Sequence, residues 1–122
     1  MEQLTELFVY GTLKRGQDAH FLMENTTYLG EAEAFGILYG KGNRPYPVAV
    51  FGGTDHKVMG ERYRVDSLTL EKLDRYEGHP NLYKREIHNC WLKSGGPAEK
   101  VWMYSYQKSV EDYDVQPSGR YA

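Results

Sequence analysis

Residues 7–17 read LFVYGTLKRGQ, an apolar run that ends on Gly11 and continues into a loop with Thr12 and two basic residues. The unbroken apolar run over residues 7–10 predicts a short strand that is buried on both faces. The loop that follows is typical of a turn whose backbone N–H groups form an anion-binding nest. An ordinary turn with solvated charges is the alternative, because neither glycine-rich phosphate-binding motif occurs in the chain.

The rest of the chain favours strands. Residues 26–29, 32–39, 48–51, 58–65, 83–92 and 100–106 are predicted strands, and the last two are predicted to form a hairpin. Residues 18–24 predict a short helix with Asp18 as its cap and with Phe21 and Leu22 on its inner side, and residues 41–47 predict a proline-containing loop. Residues 112–122 show no clear period. We expect an α+β fold, with a mixed or antiparallel sheet of about six or seven strands that closes toward a small barrel flanked by helices.

Residues 66–78, DSLTLEKLDRYEG, predict a second helix. Ser67 or Thr69 is its expected N-terminal cap, because a hydroxyl can accept a hydrogen bond from a free N–H group of the first turn. Gly78 is the expected C-terminal cap, and Pro80 prevents the helix from continuing.

An acidic side chain continues the apolar stripe of this helix. Leu70 and Leu73 define the stripe, and helical spacing extends it to Glu77 in the last turn. Burial and the helix dipole both oppose a negative charge there, so the pKa of Glu77 is expected to rise toward that of a useful base. Asp74, four residues after Leu70, is nearly as well placed, and a solvated glutamate is the alternative for Glu77.

Composition limits the classes of function. The 122 residues fit one domain, residues 1–122, and the net charge of -2 argues against nucleic-acid and anionic-membrane partners. The polar N-terminus, the absence of an apolar span and the single cysteine favour a cytoplasmic location. The four histidines lack metal-ligand spacing, and we expect no metal and no cofactor. The chain has no G-x-S-x-G motif, so the sequence gives no indication of a serine nucleophile.

Two segments together resemble a known family. FVYGTLKRG at residues 8–16 and LDRYEGHPNLYKR at residues 73–85, in this order, resemble the γ-glutamylcyclotransferase-like family. Within it, the resemblance is to the γ-glutamylamine cyclotransferase branch and to short bacterial relatives grouped with the AIG2-like proteins. GERYRV at residues 60–65 and WMYSY at residues 102–106 extend the similarity over nearly the whole chain.

The resemblance implies a mixed barrel with a pocket at one end, and it implies roles for particular residues. The family's substrate-binding loop falls on Tyr10, Gly11, Thr12 and Leu13, and its proton acceptor falls on Glu77. The implied reaction is the cyclisation of a γ-glutamyl amine or γ-glutamyl amino acid to 5-oxoproline with release of the amine. The substrate's own α-amine is the nucleophile, so the protein needs no serine or cysteine for this reaction.

Several side chains have less definite roles. Tyr83, Arg85 and Tyr104 are candidate pocket residues, and Arg15 or Arg85 is a candidate partner for a substrate carboxylate. The alternatives are structural charges and tyrosines that fill a barrel wall. We expect a small-molecule γ-glutamyl substrate and a monomer or weak homodimer. A non-catalytic module that binds a γ-glutamyl-like anion is the alternative function.

Overall fold

A computed structural model describes residues 4–40 and 46–121 of the protein. Its elements are β1 (Leu4–Val9), a 3₁₀-helix (His20–Met23), β2 (Thr27–Gly40), β3 (Val48–Phe51), β4 (Lys57–Asp66), α1 (Ser67–Glu77), β5 (Tyr83–Leu92), β6 (Glu99–Tyr106) and β7 (Asp114–Val115). The strands predicted over residues 48–51 and 83–92 have the predicted bounds. The described part of the chain has no helix that is long and apolar enough to cross a membrane.

Within the described residues, five strands close into a barrel in the order β2, β4, β1, β6, β5, and β5 pairs back onto β2. β1 runs parallel to β6, whereas the other neighbouring pairs of the barrel are antiparallel. β3 and β7 both pair with the C-terminal half of β2. The predicted small mixed barrel with flanking helices is therefore confirmed.

The position of β1 explains its unbroken apolar run. Phe8 packs in the barrel interior with side chains from all of the barrel strands. Leu7 and Val9 belong to an outer cluster that includes Leu73 of α1 and Met23 of the 3₁₀-helix. Because successive side chains of a strand point to opposite faces, residues 7–9 of β1 each enter one of these two clusters and leave no polar position.

A bulge lies where the sequence suggested a break between two extended segments. β2 is one strand, and its register against β4 shifts between Tyr28 and Gly30. Gly30 has a φ of +138°, a backbone conformation that residues with a side chain rarely adopt. The segments predicted as strands over residues 26–29 and 32–39 therefore belong to one strand, which the glycine bends without ending it.

The helix that carries Glu77 is confirmed, but its N-terminal cap differs from the prediction. Asp66 is the cap, and its carboxylate accepts a hydrogen bond from the N–H group of Thr69 at 2.7 Å. Ser67 is already the first helical residue, so neither predicted hydroxyl is the cap. Gly78 ends the helix in the left-handed conformation with φ of +70°, as predicted.

The first predicted helix is shorter and tighter than expected. Only residues 20–23 are helical, with 3₁₀ geometry, and Ala19 takes the cap position that was predicted for Asp18. With three residues per turn, His20 and Met23 share one side and Met23 is buried. The prediction that Phe21 lies on the inner side is wrong, since its side chain is 70% exposed.

Two further segments, residues 41–47 and 112–122, were not predicted as helices or strands. Most of the predicted loop over residues 41–47 lies outside the described residues, and its last two, Tyr46 and Pro47, are in no strand. Asp114–Val115 forms β7, which the sequence did not predict. A strand of two residues is too short to show the alternation on which strand prediction depends.

The segment after β7 packs closely on the barrel, and one substitution tests this packing. Gly119 has φ of +66°, and a Cβ atom there would lie 2.1 Å from the carbonyl oxygen of Lys57. Gly53 has a similar φ of +71°, but a Cβ atom at Gly53 would have nothing within 4 Å. We expect Gly119→Ala to lower the free energy of unfolding by about 1–3 kcal/mol more than Gly53→Ala does. Urea denaturation measures both, and equal losses would contradict the close contact.

Candidate active site

A cavity of about 410 Å³ lies where the loop after β1 meets the last turn of α1. Its lining residues are Phe8, Val9, Tyr10, Gly11, Thr12 and Leu13 from β1 and its loop, Tyr46, Pro47 and Val48 at the start of β3, Tyr76 and Glu77 from α1, and Leu82, Tyr83, Tyr104, Tyr106 and Tyr113 from the chain around and after β5 and β6. The loop and the helix are far apart in sequence. The fold therefore brings the two segments that carry the family resemblance to one cavity.

The carbonyl groups of the loop over residues 11–13 are all bonded within the protein. Lys14 N donates to Gly11 O at 3.0 Å, Ala19 N donates to Thr12 O at 3.0 Å, and His20 Nδ1 lies 2.8 Å from Leu13 O. A carbonyl oxygen can only accept, so His20 Nδ1 carries the hydrogen. These bonds fix the orientation of successive peptide groups along the wall of the cavity.

The N–H groups of the same loop have no such partners. Among the described residues, nothing accepts a hydrogen bond from the N–H groups of Gly11, Thr12 and Leu13. In a trans peptide the N–H and C=O bonds point in opposite directions. The N–H groups of Thr12 and Leu13 therefore point away from the acceptor bonds of the carbonyls that precede them, and they remain able to donate.

Glu77 is the acidic residue of the cavity lining. It is the last residue of α1, four positions after the buried Leu73, and its side chain is partly buried. Among the described residues, no cation pairs with it and no donor bonds to its carboxylate. Burial raises the pKa of Glu77 from an ordinary value of 4.5 to about 7.

Asp74 has the opposite environment, one turn earlier in the same helix. Arg85 donates to both of its carboxylate oxygens, at 2.9 and 3.0 Å, and the hydroxyl of Tyr104 donates to it at 2.7 Å. Burial alone would raise the pKa of Asp74, but the hydrogen bonds from Arg85 and Tyr104 outweigh it and the pKa is lowered. The two carboxylates that the sequence left open are thus distinguished: Glu77 lines the cavity, and Asp74 is held in an ion pair.

The expected roles of two arginines need correction. Arg85 is not among the lining residues of the cavity, because its guanidinium is bonded to Asp74 and lies over the ring of Trp102, 4.4 Å from its centroid. Arg15 bonds to Glu61 through its backbone N–H group at 2.9 Å and pairs with the same carboxylate through Nε at 3.5 Å. Each guanidinium that was considered for a substrate carboxylate is therefore bonded to an acidic side chain of the protein.

Comparison with known proteins identifies the family. A family model described as γ-glutamyl cyclotransferase, AIG2-like, matches residues 7–122. The chain belongs to this family. It is 35% identical over 124 residues to γ-glutamylaminecyclotransferase A of Danio rerio, covering 92% of this chain and 75% of that protein. It is 36% identical over 115 residues to the γ-glutamylcyclotransferase family protein YtfP of Escherichia coli K12, covering 93% of this chain and 92% of that protein.

Solved structures show the same fold in other members. An AIG2-like protein from Mus musculus superposes with a TM-score of 0.86 at 26% identity, covering 98% of this chain and 89% of that chain. The solution structure of YtfP from Escherichia coli has a TM-score of 0.66 at 34% identity, covering 95% of each chain. The resemblance inferred from two sequence segments is therefore confirmed, and so is its class of protein, an enzyme of the γ-glutamylcyclotransferase type.

Tyrosines form much of the cavity wall in this family member. The sequence assigned Tyr10, Tyr83 and Tyr104 to the site, and all three line the cavity. Four further lining tyrosines were missed: Tyr46, Tyr76, Tyr106 and Tyr113. One of them carried a signal, because Tyr106 follows Tyr104 by two residues and so shares its face of β6. Burial raises the pKa of both Tyr10 and Tyr83, so their hydroxyls are neutral hydrogen-bonding groups.

The acidic, histidine and cysteine side chains of the described residues do not form a metal site. No group of three or more of them is placed so that it could hold an ion. Cys90 is buried in the barrel interior, and burial raises the pKa of its thiol to about 12. This thiol is therefore an apolar core group and not a nucleophile.

Proposed function

We propose that this chain cyclises a γ-glutamyl amine or γ-glutamyl amino acid to 5-oxoproline and releases the amine. The observation that carries the proposal is the position of Glu77 in the cavity lined by residues 11–13. The pKa of Glu77 is raised and the side chain has no cationic partner among the described residues, and the N–H groups of residues 11–13 have no acceptor there. The names of its relatives, which include γ-glutamylaminecyclotransferases, support the same reaction.

Glu77 would transfer the proton in both halves of the reaction. It first accepts a proton from the α-ammonium group of the substrate, and the neutral nitrogen then attacks the γ-carbonyl carbon. A C–N bond forms in the five-membered ring and the carbonyl oxygen becomes an oxyanion. The protonated Glu77 donates its proton to the departing nitrogen as the original amide bond breaks, and the ring nitrogen loses its extra proton to solvent.

The loop would stabilise the charge that develops on the oxygen. The N–H groups of Thr12 and Leu13 have fixed directions and no acceptor among the described residues, so they can donate to the oxyanion or to the α-carboxylate without reorganisation. One well-placed donor of this kind is worth roughly 10²–10³-fold in rate. Tyr10, Gly11, Thr12 and Leu13 are thus proposed as the substrate-binding segment, with Tyr83 and Tyr104 as further walls of the pocket.

Holding the substrate in a folded shape would supply much of the remaining rate. The nucleophile and the carbonyl belong to one molecule, and well-oriented intramolecular reactions reach effective molarities of about 10⁵–10⁸ M. The protein therefore needs no nucleophile of its own. Its tyrosine-rich wall has only to select the conformation in which the α-nitrogen faces the γ-carbon.

The pH dependence of turnover tests the role of Glu77. The side chain accepts a proton only as a carboxylate, so kcat/KM, which reports the free enzyme, is expected to fall as the pH drops through about 7. Initial rates at substrate concentrations well below KM, from about pH 5 to about pH 9, give this acid limb. An acid limb near the ordinary value of 4.5 would contradict the proposed environment of Glu77.

Product detection tests the function itself. Purified protein is incubated with a panel of γ-glutamyl amines and γ-glutamyl dipeptides, and 5-oxoproline is measured by mass spectrometry, with the Glu77→Gln variant as the control for contaminating activity. We expect product from at least one member of the panel with the wild-type chain only. Ligand binding without product from any member would favour the non-catalytic binding module.

Three broader features stay predictions. We propose that residues 1–122 form a single domain of this type, which the family match over residues 7–122 supports. A cytoplasmic location remains an expectation from the sequence. So does a monomeric or weakly dimeric state, which sedimentation or light scattering would measure.

A further inference from the structure

One hydrogen bond joins the two segments of the site directly. The hydroxyl of Tyr76 lies 3.0 Å from Oγ1 of Thr12, although the two residues are 64 positions apart. Thr12 belongs to the loop with the free N–H groups, and Tyr76 immediately precedes Glu77 in the last turn of α1. Both side chains line the cavity.

We propose that the hydroxyl of Tyr76 is a positioning group that fixes the distance between the loop donors and the carboxylate of Glu77. This inference rests on the proposed function. The carbonyl of Thr12 is already bonded to Ala19 on the protein side, so the bond to Tyr76 fixes the same residue from a second direction. The peptide group that contains the carbonyl of Thr12 also carries the N–H group of Leu13.

The surroundings of Tyr76 indicate a local role for this bond. Its side chain is 48% exposed, so packing alone does not hold the ring at the edge of the cavity. A hydroxyl–hydroxyl bond at an exposed position contributes little to global stability. It can nevertheless align two groups that must act on one substrate, where small displacements cost much of the rate.

Kinetics of paired variants test the proposal. Tyr76→Phe and Thr12→Val each remove one hydroxyl, and each is expected to lower kcat about 3- to 10-fold with little change in KM, because alignment matters most in the transition state. The double variant is expected to be no slower than the slower single variant. Thr12→Ser keeps the hydroxyl and should retain most of the activity. Tyr39→Phe, a tyrosine of β2 that does not line the cavity, is the matched control and should leave kcat unchanged.

The pH profile distinguishes a positioning role from a structural defect, because a structural defect around Glu77 would shift the acid limb. Burial raises the pKa of Glu77, and Tyr76→Phe keeps the ring while it removes only the hydroxyl. The acid limb of kcat/KM should therefore stay near 7 in Tyr76→Phe while the plateau falls. A shifted limb would mean that the variant changes the burial of the carboxylate, and it would overturn the positioning role.

The additivity of the kinetic effects tests the bond itself, because two variants that remove the same bond cannot each add a full loss. Additive losses of kcat in the double variant Tyr76→Phe, Thr12→Val would overturn the proposal. Failure of the proposed function is a separate outcome, because it would appear as absence of 5-oxoproline from the wild-type chain.

Discussion

Glu77→Gln is expected to lower kcat by roughly 10²–10⁴-fold, the usual contribution of a positioned general base. Glutamine has nearly the same shape but cannot accept the ammonium proton or return it to the leaving nitrogen. The cavity and the loop donors remain, so KM should change little. Steady-state formation of 5-oxoproline by wild type and variant measures both constants, and equal activity would reject the assignment of Glu77.

Asp74→Asn is the matched control in the same helix. Asp74 is bonded to Arg85 and Tyr104 and does not line the cavity, so its replacement should reduce kcat far less than Glu77→Gln does. Stability should fall instead, because the guanidinium of Arg85 would lose its charged partner. A larger loss of kcat in Asp74→Asn than in Glu77→Gln would mean that the two roles are exchanged.

The difference in stability between Glu77→Gln and wild type should change with pH in one direction. The folded protein holds the Glu77 proton up to about 7, whereas the unfolded chain releases it near 4.5. The stability from the protonated side chain is fully present below the lower pH and is lost as the pH rises through the higher one. The Tm of the variant relative to wild type should therefore increase as the pH rises from 4.5 to about 7. Thermal unfolding at several pH values measures this gain, which also shows that the loss of activity is not a loss of fold.

Replacing the backbone amide of Leu13 with an ester is expected to lower kcat by roughly 10²–10³-fold, the cost of one oxyanion donor. The corresponding α-hydroxy acid keeps the leucine side chain and removes only the N–H group. The same replacement at Thr12 tests the neighbouring donor. Single-turnover rates at saturating substrate separate the effect on chemistry from any effect on binding.

An ester at Asp18 is the control for these variants. The N–H group of Asp18 has no acceptor among the described residues, and the preceding carbonyl of Gln17 accepts a hydrogen bond from His20 N at 3.1 Å. This ester therefore weakens a similar carbonyl in the same segment, outside the cavity lining, and should leave kcat nearly unchanged. Equal losses at Leu13 and Asp18 would show that the loop N–H groups have no special role.

The sequence predicts the barrel because its signals are local and strong. Apolar runs bounded by glycine mark residues 48–51, and the sequence around residues 83–106 reads as a hairpin. The sequence could not predict that β5 pairs with β2 to close the barrel, since pairing partners are set by tertiary packing. The exposure of Phe21 was missed for the same reason, and the sequence did not show whether residues 26–39 form one bent strand or two strands. Whether a glycine breaks or bends a strand, and whether an aromatic residue is buried, depends on the neighbouring elements of the fold.

The site could be predicted to a similar depth. Helical spacing from Leu73 is enough to place Glu77 on the inner face, and the glycine after β1 is enough to suggest free N–H groups. Spacing could not distinguish Asp74 from Glu77, because the partner that neutralises Asp74 comes from β5. The hydroxyl contact between Thr12 and Tyr76 had no sequence signal, since it depends on the docking of α1 beside the loop.

The titration of Glu77 itself tests most directly whether a buried carboxylate acts as the base. The Cδ resonance of Glu77, assigned by its loss in Glu77→Gln, can be followed by ¹³C NMR across the pH range. The expected midpoint is about 7, and it should coincide with the acid limb of kcat/KM. A midpoint near the ordinary value of 4.5 would show a solvated side chain and would contradict the proposed mechanism.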